Sequence, residues 1–353
     1  MTDRIVINNE ILNELIKLSI TEYGNEAAVS SPSHLRWKYL DNPSGPTYAD
    51  ILYQDSQIVG RVVYEPRKFV SKDGSLRAVN PIDVLIDSAY RSPANFPQLM
   101  QGIRHHDKSQ LVYFSPNNIS APLYEKLLKF RPVGTFTLSG IPLRLDRVLT
   151  NRVPKWICSV MGVLGIPWRG LVRGVVKLLR LGVKVSLVSN QPSDTDVDSL
   201  NSHFLESPVW VGDRSSAFHQ WRFYDGPRFI YRVRYAFSNN ELIGYLVARI
   251  ADFEGMRAAV ILDCVVRPGS SNRVSRALLA DAVNWALLER ADLVATLSYG
   301  SSAIATALRR FPLFRIPKKM SPQKMAVLAE WLNEKRDNED PDISLTLADL
   351  DVF

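Results

Sequence analysis

Trp37-Lys38-Tyr39-Leu40-Asp41-Asn42-Pro43 is echoed 184 residues later by Trp221-Arg222-Phe223-Tyr224-Asp225-Gly226-Pro227. Further along, Gln57-Ile58-Val59-Gly60 is matched at the same offset of 184 by Glu241-Leu242-Ile243-Gly244. Two segments that keep one register over this distance are poorly explained by chance. A period so far above the roughly 20 to 50 residues of solenoid units implies duplication of a whole domain.

The chain has 353 residues, 46% of them hydrophobic and 10% aromatic, enough for two ordinary cores. Two cysteines, Cys158 and Cys264, offer neither a disulfide framework nor a CxxC metal site. No signal peptide is evident in the polar start Met1-Thr2-Asp3-Arg4, so the expected compartment is the cytoplasm. The net charge of +7 is local. Residues 151–193 hold Arg152, Lys155, Arg169, Arg173, Lys177, Arg180 and Lys184 and no acidic residue, which leaves 36 basic against 36 acidic residues elsewhere. Neither copy is a basic surface, so nucleic acid is not an expected partner.

Apolar spacing predicts a helix over Asn8 to Tyr23 and a second from Ser31 that carries Trp37. Strands are expected at 48–54 and 57–65, joined at Asp55-Ser56, and at 77–87. A helix 94–105, a strand 111–114, a helix 119–129 and strand-like residues 133–144 complete the unit. The second copy repeats the order: helix 215–224, strands 228–237, 241–251 and 257–266, helix 272–290, strand 292–298 and helix 301–310. Antiparallel strands followed by alternating helix and strand indicate an α/β fold with a mixed sheet and helices on its faces. The expected division is 1–145, a connector 146–205, and 206–353.

In the connector, the uncharged run from Trp156 to Trp168 is shorter than the about 20 apolar residues a spanning helix needs. Beyond it, Arg169, Arg173, Lys177, Arg180 and Lys184 recur at helical spacing while Val172, Val175, Val176, Leu179 and Val183 fill other faces. This basic amphipathic pattern suits a helix lying on an anionic membrane surface through residues 156–184, peripheral at the inner face. The competing reading is a helix packed between the two copies with its basic face solvated.

Asp83 to Phe96 resembles the strand, loop and helix start of the GNAT acyltransferases, whose signature is Gln/Arg-x-x-Gly-x-Gly/Ala. Arg91 takes the first position, while Ala94 and Phe96 stand where the glycines belong. Asn117-x-x-Ser120-x-x-x-Tyr124-Glu125-Lys126, ending at Lys129-Phe130, resembles a second GNAT segment. Two tandem GNAT-like domains with a basic connector are therefore expected. The resemblance implies acetyl-CoA or another acyl-CoA as co-substrate and no metal. It places Ile86, Ala89, Arg91, Ser92, Ala94, Asn95, Phe96, Asn117 and Ser120 around the coenzyme, with Tyr124 as general acid on the departing thiolate. Tyr124 merely packing, and Asn117 merely capping its helix, are the alternatives. Asp83, matched by Asp263 in copy two, is the candidate general base, or else a cap for a neighbouring loop. His105-His106 lacks a third ligand at metal spacing.

Copy two lacks an aligned Gly-x-Gly at Arg267 to Asn272 and has Arg309 where the tyrosine would be, so its catalytic set is expected to be lost. The Trp-containing element resembles GNAT-like proteins associated with bacterial surface-polysaccharide synthesis, which implies a sugar-type acceptor, small or lipid-linked. An aminoacyl transferase of the peptidoglycan-bridge type and a non-catalytic scaffold are the rival functions.

Overall fold

A computed structural model describes residues 2–105, 109–149, 155–180, 185–253, 255–270, 272–301, 305–306, 314–316, 325–332 and 339–350. The first copy comprises β1 (Thr2–Val6), α1 (Asn9–Tyr23), α2 (Pro32–Tyr39), β2 (Tyr48–Gln54), β3 (Gln57–Ser71), β4 (Gly74–Ile86), α3 (Asn95–Met100), β5 (Leu111–Phe114), β6 (Pro132–Thr135) and β7 (Thr137–Pro142). Next come α4 (Leu145–Leu149), α5 (Lys155–Arg180), β8 (Ser186–Val188) and α6 (Asp194–Ser202). The second copy has β9 (Trp210–Gly212), α7 (Ser216–Phe223), β10 (Arg232–Ser238), β11 (Glu241–Phe253), β12 (Met256–Val266), α8 (Asn272–Leu288), β13 (Leu293–Tyr299), β14 (Phe314–Arg315), β15 (Ala326–Trp331) and β16 (Ile343–Thr346).

Local chemistry explains most of these boundaries. Asn8 caps α1 by accepting the Ile11 N–H at 2.9 Å, and Pro32 opens α2 where no helical N–H is required. The β2–β3 turn at Asp55-Ser56 and the β10–β11 turn at Asn239-Asn240 have positive φ at both residues, the twist-matched hairpin geometry. The repeat is visible in the ladders: Gly60 faces Ile86 in copy one as Gly244 faces Val266 in copy two.

Three expectations need correction. The helix foreseen at 94–105 is only six residues long before it tightens into a 3₁₀ turn at Gln101–Arg104. The segment 119–129 forms a single π turn at Leu123–Leu127, a form frequent at functional sites. Residues 133–144 are two strands in different sheets. β7 pairs antiparallel with β13 and β14 of the second copy, and β15 returns to pair with β5 and β6 of the first. Each copy is thus closed by a strand of the other. Alternation of apolar residues fixes which face of a strand is buried but says nothing about which sheet it joins. Gly140 permits the crossing, because a Cβ there would lie 2.5 Å from the Val294 carbonyl oxygen. The expected helix 301–310 falls almost wholly outside the described residues, as does His106.

One hydrophobic core draws on both copies, with Phe69, Leu111 and Tyr113 packed among Leu138, Trp210, Leu293 and Val327. At a second junction Trp37 stacks on Trp221. The connector belongs to the second copy: Val172 and Val176 of α5 are buried in its core beside Leu278 and Leu279 of α8, and β8 extends its sheet next to β10. No helix among the described residues is long and apolar enough to cross a membrane.

Candidate active site

Strands β4 and β5 pair in parallel only at Ala78–Leu111 and Val79–Val112. Beyond that point β5 keeps β15 on its other edge but has no partner in β4, and β4 carries a bulge: Arg61 faces Leu85 and Val63 faces Ile82, so two residues, Asp83 and Val84, stand against Val62. Asp83 takes φ 49° to make it. The parted strands open a cleft of about 850 Å³ that is lined by Asp83, Ile86, Arg91, Ser92, Phe96, Asn117, Ser120 and Tyr124. Eight of the eleven residues singled out from sequence therefore meet on one cleft, and Ala89, Ala94 and Asn95 lie outside its lining.

Tyr124 is buried among Phe96, Phe114 and Phe130, with ring centroids 5.9, 4.6 and 6.4 Å away. Burial raises the phenol pKa well beyond its ordinary value, so the hydroxyl keeps its proton at neutral pH. Asn117 caps the preceding turn, its Oδ1 accepting the N–H groups of Ile119 and Ser120 at 3.0 and 2.8 Å.

Asp83 accepts hydrogen bonds from Lys38 Nζ at 2.7 Å and from the Tyr39 hydroxyl at 2.5 Å. Burial alone would raise its pKa, but the Lys38 and Arg61 charges and the two hydrogen bonds outweigh this and bring it to about 2. Lys38 and Tyr39, noticed in the sequence only as part of the repeat, therefore hold the bulge in place. Arg91 donates to the Ile86 carbonyl at 3.0 Å and pairs with Glu22 of α1. That partner sits 69 residues away and left no local signal. The Ala89 N–H bonds the Asp87 carboxylate at 2.9 Å, the Asn95 N–H bonds the Ser92 hydroxyl at 3.2 Å, and Pro97 has no N–H at all. Few backbone donors remain at the start of α3 for an anion.

The same position in copy two is filled. Where β12 and β13 part, β16 pairs with β13 at Ser298–Thr346 and Tyr299–Leu345, and the turn 347–349 follows it inward. Buried Arg214 bonds Asp263 Oδ2 at 2.6 Å and Asp349 Oδ1 at 2.7 Å, while the Thr346 hydroxyl donates to Asp263 at 3.3 Å. The C-terminal segment therefore plugs the second cleft. It also walls the first, because Leu347 and Leu350 line it together with Leu297 and Met325. No group of three potential metal ligands occurs among the described residues.

No protein-family model and no curated protein matches the sequence. Solved structures do. A GCN5-related N-acetyltransferase from Anabaena variabilis aligns with a TM-score of 0.59 and 12% identity, over 94% of this chain and 73% of that one. One from Kribbella flavida gives 0.56 and 12%, over 94% and 71%. A tandem GNAT protein from the clavulanic acid biosynthesis pathway gives 0.53 and 12%, over 94% of this chain and 99% of that one. At this identity the likeness speaks for fold alone. The chain has the fold of a tandem GNAT protein.

Proposed function

We propose that the first copy transfers an acyl group, acetyl in the simplest case, from acyl-CoA to an amine or hydroxyl of a sugar-type acceptor. The observation that carries this reading is the open cleft at the β4 bulge, with buried Tyr124 on its wall. The fold supports acyl transfer in general; the sugar acceptor and its lipid-linked form rest on resemblance and on the connector. The thioester would lie along the end of β4 near Ile86, with the coenzyme's anionic groups toward Arg91, Ser92 and the Asn117–Ser120 turn. As the acceptor's nitrogen or oxygen bonds the acyl carbon and the C–S bond breaks, Tyr124 donates its proton to the sulfur, and the proton shed by the acceptor passes to solvent, from which the phenol is reprotonated. The buried phenol holds its proton at neutral pH, and its contact with the cleft, not its pKa, is what suits it to the role. For Asp83 the role shifts from general base to positioning: a carboxylate with a pKa of about 2 that already accepts two hydrogen bonds takes up protons poorly at neutral pH.

A second reading, a binding scaffold that keeps the fold without the chemistry, is favoured by the Arg91–Glu22 pair and by Phe96 and Pro97 in the coenzyme loop. Calorimetry with acetyl-CoA decides between them. Binding that weakens in Arg91→Glu, with turnover lost in Tyr124→Phe by roughly 100-fold at unchanged coenzyme affinity, is the expected result. Absence of binding at concentrations well above micromolar would leave the scaffold.

A further inference from the structure

Helix α5 leaves an uncommon surface uncovered. Of the fourteen large hydrophobic side chains exposed among the described residues, five lie on this one helix. Leu164, Leu171, Val175 and Leu178 are spaced by 7, 4 and 3 residues and form one stripe, 37% to 67% exposed, beside the Val172 and Val176 edge that packs against α8. Arg173, Lys177 and Arg180 form a second exposed stripe at spacings of 4 and 3, and no acidic residue lies anywhere in 151–193. Exposed Gly170 and Gly174 lie between the two stripes, with nothing within 4 Å of where their Cβ atoms would be.

We infer that this face of α5 is a docking surface for an anionic lipid bilayer. The apolar stripe requires a partner that removes it from water, and the cations require negative charge in the same plane. An acidic lipid surface supplies both. The low glycine ridge lets the Leu side chains enter the acyl boundary on one flank while the long Lys and Arg stems reach the head groups on the other. Nucleic acid would answer the cations and leave the leucines wet. The inference stands on the helix alone and does not depend on the acyl-transfer reading.

The test is flotation of the full chain with vesicles of phosphatidylcholine containing phosphatidylglycerol, at low ionic strength, against phosphatidylcholine alone. The intact protein is expected to float with the anionic vesicles and to be released by salt. Neutralising three cations, as Arg173→Gln, Lys177→Gln and Arg180→Gln together, is expected to lower partitioning about 100-fold. Leu171→Asp with Leu178→Asp is expected to lower it at least roughly tenfold while circular dichroism stays unchanged. Sedimentation of the vesicle-free protein covers the remaining occupant. A concentration-dependent dimer abolished by the two Asp substitutions would assign the stripe to a second copy and overturn the inference, as would failure to float or flotation indifferent to both variants.

Discussion

Trp37 and Trp221 stack with ring centroids 4.9 Å apart, and each indole N–H donates to the other's backbone carbonyl, at 2.8 Å from Trp37 and 3.0 Å from Trp221. The two positions that revealed the duplication are thus one another's partners, related by a local twofold arrangement. Such a contact binds the copies through their equivalent helices α2 and α7, and it accounts for the retention of tryptophan at both.

Trp37→Ala and Trp221→Ala should each cost about 3–5 kcal/mol, as expected for a fully buried indole. Because the two share one contact, the double variant should cost less than the sum by about 1–3 kcal/mol. Urea unfolding of the four proteins of the cycle measures this. Strict additivity would mean that the stacking and the reciprocal hydrogen bonds contribute little.

Asp83 links stability to acid. Its folded pKa of about 2 lies below the ordinary carboxylate value of 3.8, so its contribution, about 2 kcal/mol, is complete above pH 4 and is lost as the pH falls from 4 to 2. Asp83→Asn should remove that slope and, by leaving the Lys38 ammonium buried without its partner carboxylate, destabilise the protein at pH 7 by about 3–5 kcal/mol. Denaturant midpoints across this range read both effects.

His219 acts in a separate window. It is buried beside Tyr235 and Tyr245, and burial lowers its pKa from 6.5 to about 4. Between these values the unfolded chain holds a proton that the folded chain does not. Stability is therefore full above pH 6.5 and falls by about 3 kcal/mol toward pH 4. His219→Gln should flatten the curve between pH 6.5 and 4 and leave the Asp83 window intact.

Arg214 answers two carboxylates, Asp263 and Asp349, with all three side chains at most 4% exposed. Arg214→Met alone should destabilise by about 3–5 kcal/mol, whereas combining it with Asp263→Asn and Asp349→Asn should recover much of the loss. Thermal melts of the single and triple variants test this. Equal losses in both would place the cost in packing and not in charge.

Much of this architecture was legible in local sequence. The repeat, the Asp55-Ser56 hairpin and the succession of elements in the first copy from α1 as far as β5 follow from spacing and turn chemistry, and the matched positions of Gly60 and Gly244 follow from the preserved offset. What was hidden depends on distant pairing. Nothing in Thr137–Pro142 or Ala326–Trp331 marks either as the other copy's strand, because an alternating strand carries no address. Glu22 is an ordinary helix-end acid until the fold brings it to Arg91, and Thr346-Leu347-Ala348-Asp349 reads as an unremarkable tail until Arg214 captures it. The lining of the candidate cleft was legible where it follows a motif, at Asn117, Ser120 and Tyr124, and illegible where Leu297, Met325, Leu347 and Leu350 of the second copy complete it.

The exchanged strands also govern how a ligand can enter. A protein of two separable lobes can admit a bulky acceptor by swinging them apart about a linker. Here such a rotation would have to strip β7 from β13 and β15 from β5 at the same time, breaking two ladders in two sheets. Breathing between the lobes is therefore closed off as a route of access. Traffic into the cleft falls to its own rim, where exposed Ile119 and Leu123 stand on the short turn after β5.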